Sequence, residues 1–152
     1  MPREKSCGAV VFKRNDELQY LLLQYGAGHW DFVKGQMEAH ESEKHTVMRE
    51  LEEETGITDA QFVKGFREKI HYYYRRGRKT IYKEVVYFLV EALSSKVKLS
   101  YEHVGYEWLD YRNAMKRLTF RNAKNIMKKA RERLEEGGDK SNEEIKYTRT
   151  TR

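Results

Sequence analysis

The 152-residue chain has one cysteine, Cys7, and one proline, Pro2. A lone cysteine excludes a disulfide framework and the paired thiols of a structural zinc site. With so little proline and no internal repeat, no Pro-rich linker divides the chain. No stretch approaches the roughly 18 apolar residues of a membrane span. The first apolar run, residues 8–12, is too short for the core of a signal peptide. Together these absences lead to an expectation of a cytoplasmic protein without a membrane partner. A folded chain, not a wholly disordered one, is expected, because aromatic residues reach 12% and several apolar runs are well formed. The length suits one domain able to bury a core without staples.

Charge is abundant and uneven. Charged residues make up 36% of the chain, against about 25% in ordinary domains, and the formal net charge is +6. Residues 35–57 carry Glu38, Glu41, Glu43, Glu50, Glu52, Glu53 and Glu54 against only Lys44 and Arg49, a local net of −5 that leaves +11 on the remainder. Residues 64–84 alone hold a net of +6. An acidic block inside a basic chain has two readings. It is a solvated helix face, or it is a carboxylate cluster for divalent cations beside basic residues that hold a polyanion.

Residues 6–13 and 18–24 read as two strands around the polar turn Arg14–Glu17. A loop follows from Tyr25 to Trp30, and residues 31–35 lead out of it. Helical spacing of Val47, Met48 and Leu51 predicts a helix over residues 42–55, with Ser42 as N-cap and Gly56 as its stop. Strands are expected over 61–75 and 79–90, joined at residues 76–78, and a short one over 105–109. Ala123, Ile126, Met127, Ala130 and Leu134 form a core-facing stripe in a helical region expected over 111–136. The single domain is assigned to residues 1–136, and residues 137–152 are expected to be a flexible or conditionally ordered tail.

Glu50, Glu53 and Glu54 lie three and four residues apart, so one helix face carries all three. Carboxylates that close repel one another unless a partner offsets them; Arg49, four residues before Glu53, is one such partner. Oxygen ligands alone suit magnesium or manganese better than zinc. The segment GQMEAHESEKHTVMRELEEETGI, residues 35–57, resembles the Nudix signature without a gap, at too many positions to arise by chance at ordinary residue usage.

The resemblance implies an α/β/α sandwich with a mixed central sheet. It also implies divalent-metal-dependent hydrolysis of a nucleoside polyphosphate by water attack on phosphorus. Under it, Glu53 and Glu54 bind metal with the Gly35 carbonyl. Glu50 shares in metal binding and orients or deprotonates water, Arg49 holds Glu53, and Glu41 supports the helix start or ligates more remotely. Magnesium is the expected cofactor, with manganese as the alternative.

The flanks resemble the diadenosine tetraphosphate hydrolase branch of that family. The matching fragments are CGAVVFKR, LLLQY, HWDFVKG, IHYYYRRGRKTIYKEVVYFL and EHVGYEWL. That branch implies asymmetric cleavage to ATP and AMP, base contacts from His29 and Tyr72 or Tyr74, and phosphate contacts from Lys34, Lys79 and Lys83. Glu102 matches a loop acid able to approach the metals and act as base. The chain departs from the branch at Val33, where proline is usual, and at Ala39-His40, where a Pro-Gly pair is usual. Neither change removes a carboxylate. Two other readings stay open: a pyrophosphohydrolase of RNA 5′ ends or nucleoside triphosphates, and a Nudix-fold binding module without catalysis. The oligomeric state is not legible.

Overall fold

Alternation along β1 (Arg3–Arg14) sets the layering of the computed structural model, which describes residues 1–137 and 144–146. Successive strand residues point to opposite faces. Cys7, Ala9 and Val11 therefore enter one core, and Val10 and Phe12 enter another. β1 lies in the middle of an eight-stranded sheet with β2 (Leu18–Tyr25), β3 (Trp30–Asp31), β4 (Val33–Gln36), β5 (Ala60–Arg76), β6 (Lys79–Ala92), β7 (His103–Leu109) and β8 (Glu144–Lys146). The order is β3-β2-β1-β6-β5-β8, with β4 also on β1 and β7 on β2. β1 and β6 run parallel from Arg3↔Tyr82 to Phe12↔Glu91, whereas β5 and β6 form a long antiparallel hairpin.

Helix α1 (Glu43–Thr55) covers the first face through Val47, Met48 and Leu51. Helices α2 (Tyr111–Arg117) and α3 (Arg121–Gly137) cover the other through Ala114, Ala123, Ile126, Met127, Ala130 and Leu134. A mixed sheet between helical layers is the expected α/β sandwich. Among the described residues no helix is long and apolar enough to cross a membrane.

Ser42 caps α1, its hydroxyl accepting from His45 N at 3.1 Å. Gly56 ends it with φ 76°, donating its N–H to Glu52 O at 2.8 Å. In the loop before the helix, His40 adopts φ 68°. The chain thus keeps a left-handed turn where the resembled branch places glycine, and a side chain bears its cost.

The structure departs from the sequence reading at several places. The helix expected over 111–136 is two helices, interrupted at residues 118–120. Leu118 leaves helical geometry with ψ 132°, and Thr119 bonds Trp30 twice, its hydroxyl accepting at 2.8 Å and its N–H donating at 3.2 Å. That anchor is tertiary, so helical periodicity cannot report it. β1 starts at Arg3 rather than residue 6 because its parallel partner continues to Tyr82. Trp30–Asp31 and Val33–Gln36 are strands where a loop and its exit were expected, drawn in by β2 and β1. β7 likewise begins two residues early, at His103. The expected tail lies largely outside the described residues; within it, Glu144–Lys146 pairs antiparallel with β5.

Candidate active site

The pairing of Gly35 with Cys7 brings β4 directly against α1. A Cβ at Gly35 would lie 1.9 Å from the Glu50 carboxyl carbon, so only glycine lets strand and carboxylate approach this closely. Gly35→Ala is therefore expected to displace Glu50. Overpacking of this kind costs about 1–3 kcal/mol, a fall in Tm of several degrees by differential scanning fluorimetry, with turnover lost along with it. Unchanged kcat in a folded variant would contradict this packing.

Arg49 organises the acidic block. Its side chain is 12% exposed. Nε donates to Glu41 at 2.5 Å, and Nη2 donates to Glu41 at 3.1 Å and to the Gln36 carbonyl at 2.9 Å. Nη1 donates to Glu50 at 2.8 Å and to Glu53 at 3.1 Å. Glu41 also accepts from the Thr46 hydroxyl and from Glu38 N. These bonds, Arg49's foremost, hold the Glu41 carboxyl down at about 2.

Glu54 and Glu50 meet behind this network. Glu54 is 5% exposed, and its Oε1 has no hydrogen-bond partner. Burial first, then the Glu50 carboxyl beside it, pushes Glu54 far above the usual carboxylate range; burial also raises Glu50. Glu53, four residues after Arg49, is exposed and turned onto it. Among the described residues no three acidic, imidazole or thiol groups converge as a preformed metal ligand set; two carboxyls meet, Glu54 buried and Glu50 half-buried. An orphaned buried carboxylate oxygen, oxygen-only donors and the space kept by Gly35 nevertheless fit a hard divalent cation.

A cleft of about 350 Å³ opens on this pair, lined also by Tyr25, Lys34, Gly35, Glu102 and His103. Glu102 thus stands at the acidic cleft, on the loop before β7. His103 places Nε2 3.7 Å from Glu54 Oε1 and Nδ1 3.0 Å from the Ser100 hydroxyl.

A second cleft, about 380 Å³, is lined by His29, Asp31, Lys34, Ile70, Tyr72 and Phe120 among others, so Lys34 borders both. His29 stacks on Tyr25 at 4.8 Å between ring centres and faces Phe120 at 5.3 Å. Lys83 is opposite Tyr72 in the hairpin and so shares its face, 3.6 Å from Glu4. Tyr74 lies one step farther out; its hydroxyl donates to Glu4 at 2.6 Å and does not line the cleft. Lys79 is at the exposed hairpin tip, opposite Arg76, and lines neither cleft.

Tyr25, His103 and Phe120 did not emerge from the sequence reading. The first two sit inside matched fragments, LLLQY and EHVGYEWL, and were findable there. Phe120 is 48% exposed in the break between α2 and α3, and no local pattern marks it.

The family model described as "NUDIX domain" matches residues 2–138. The chain is 34% identical over 133 residues to "Bis(5'-nucleosyl)-tetraphosphatase [asymmetrical]" of Mus musculus, covering 79% of this chain and 88% of that protein. The protein of the same description from Sus scrofa is 33% identical over 143 residues, covering 86% and 95%. In structure, the chain is similar to a C. elegans Ap4A hydrolase solved as a binary complex, with TM-score 0.78, 26% identity, and coverage of 88% and 98%.

Proposed function

The chain belongs to the Nudix family of hydrolases, and on that premise we propose that it is a cytoplasmic enzyme that cleaves diadenosine tetraphosphate asymmetrically to ATP and AMP with magnesium, or manganese in its place. One observation carries the reading: Lys34 is shared between an aromatic cleft and the carboxylate cleft. A linear substrate with a base at one end and phosphates at the scissile end needs that arrangement. The volume of the aromatic cleft falls in the range usual for small-ligand sites. The names of the mouse and pig relatives support the same substrate.

His29, Phe120 and Tyr72 offer ring faces to the base, while Lys34 and Lys83 neutralise the phosphate chain. Glu50, Glu53 and Glu54, with the Gly35 carbonyl, would hold the cation. A bound divalent ion supplies charge neutralisation at phosphate oxygens and a more acidic water. Water oxygen forms a bond to phosphorus, the bridging P–O bond breaks toward the leaving phosphate, and the water proton passes to a carboxylate of the cleft, Glu50 or Glu102. Arg49 keeps Glu50 and Glu53 aimed throughout.

A substrate panel with magnesium, its products separated by chromatography, tests the proposal. ATP and AMP in equal amounts are expected, with diadenosine tetraphosphate preferred over nucleoside triphosphates and over RNA carrying a 5′ triphosphate. Two ADP per turnover, or preference for RNA, would overturn it.

A further inference from the structure

The β5–β6 hairpin has a second face, turned away from the base cleft. Along β5 it presents Arg67, Lys69, His71, Tyr73 and Arg75, every one of them exposed. Residues two apart share a face and stand about 6.6 Å from one another along the strand. Register continues the rows across the sheet: Tyr73 lies opposite Tyr82, and Tyr82 opposite Arg3; His71 lies opposite Glu84, and Glu84 opposite Lys5. The rings gather. His71 stacks on Tyr82 at 5.6 Å, Tyr73 meets Tyr82 edge-on at 5.5 Å, and the Arg3 guanidinium sits 4.8 Å over Tyr82.

Two properties of this face exceed what the contacts within it account for. Tyr73 is 59% exposed, although the same strand buries its other aromatic side more deeply. Arg3, Lys5, Arg67, Lys69 and Arg75 also outnumber the carboxylates they face, Glu43 and Glu84. Lys5 and Arg67 share Glu43, and Lys69 lies 3.8 Å from Glu84. Among the described residues Arg3 and Arg75 have no carboxylate partner. Exposed rings interleaved with cations in excess of the carboxylates beside them match a ligand that alternates planar groups with anions. A duplex would hide the base faces that these rings are placed to stack.

We propose that this face binds a single-stranded polynucleotide, its bases stacking on Tyr73 and the His71–Tyr82 pair and its phosphates held by Arg3, Lys69 and Arg75. The surface is separate from both clefts, so the proposal stands independently of the substrate assigned above.

The test is fluorescence anisotropy of the full chain with a labelled 5′-hydroxyl decauridylate in EDTA, where no turnover occurs. Binding is expected to fall with salt at a slope of log K against log salt near about −2, as for neutralising three phosphates of a single strand. Tyr73→Ala combined with Arg75→Ala is expected to weaken binding about tenfold or more while nucleotide hydrolysis is unchanged, which also shows that the variant is folded. Tyr72→Ala, on the other face, should bind the oligonucleotide as the unaltered chain does. Linear inorganic polyphosphate, which lacks rings, should compete at least about tenfold less well than unlabelled decauridylate. No binding at 50 mM salt, equal competition by polyphosphate, or an equal loss in Tyr72→Ala would each overturn the proposal. So would sedimentation showing a dimer that the double variant converts to monomer.

Discussion

Glu54→Gln is expected to yield a more stable protein that no longer turns over nucleotide. Glu54 and Glu50 are carboxyl groups brought together with little water, and Glu54 Oε1 finds no donor. Without a cation, that pair must carry either a repulsion or a proton taken up against its ordinary acidity. An amide of the same shape carries neither. In chelator near neutral pH, the Tm of the variant should exceed that of the unaltered chain by several degrees, on a scale of about 2–4 °C per kcal/mol for a chain of this size. The same change removes one of the cation ligands proposed above, and on that proposal kcat should fall by about 10²–10³-fold or more. Stability gained together with activity lost is the mark of a residue held in place for chemistry. Scanning fluorimetry in EDTA and chromatographic turnover with magnesium measure the two arms. A variant that is less stable and still active would show that Glu54 is a packing residue.

The parts legible in the sequence are those governed by local spacing. Carboxylates three and four residues apart on one turn lie on one helix face whatever surrounds them, so Glu50, Glu53 and Glu54 could be grouped before any fold was known. The same holds for Ser42 and Gly56 at the ends of α1, where cap chemistry is short-range. Partners distant along the chain are a different matter. The bond between Trp30 and Thr119 breaks the last helical region and carries Phe120 to His29, yet nothing near either residue in the sequence announces it. Tyr74 shows the converse limit. Alternation correctly set it on the face of Tyr72, but a face is longer than a cleft, and Glu4 engages its hydroxyl. Period-2 patterning ranks the sides of a strand without saying which step along it reaches a ligand.

Glu41 was the least determined member of the acidic block, and the structure gives it a partner in Arg49 that leads to the second large effect. Arg49→Ala is expected to cost about 3–5 kcal/mol, the usual consequence of removing one member of a buried ion-paired network. Glu41 and Glu50 would remain with their carboxylates enclosed and their principal cation gone. The corresponding fall in Tm is on the order of 10 °C. Its dependence on pH has a definite sign. Glu41 titrates at about 2 in the folded chain against 4.5 ordinarily, so the stability it contributes is complete above about pH 5 and is lost as pH falls toward 2. The gap in Tm between the unaltered chain and Arg49→Ala should therefore be widest near neutrality and close progressively over that acid range. Arg49→Lys separates charge from geometry. A lysine ammonium can sit near Glu41, but it lacks the planar fork that reaches Glu41, the Gln36 carbonyl, Glu50 and Glu53 together. Much of the lost stability should return in this variant while kcat stays about 10–100-fold down, the range seen when groups that aim a metal's ligands are removed. Full recovery of turnover by lysine would mean that Arg49 acts through its charge alone.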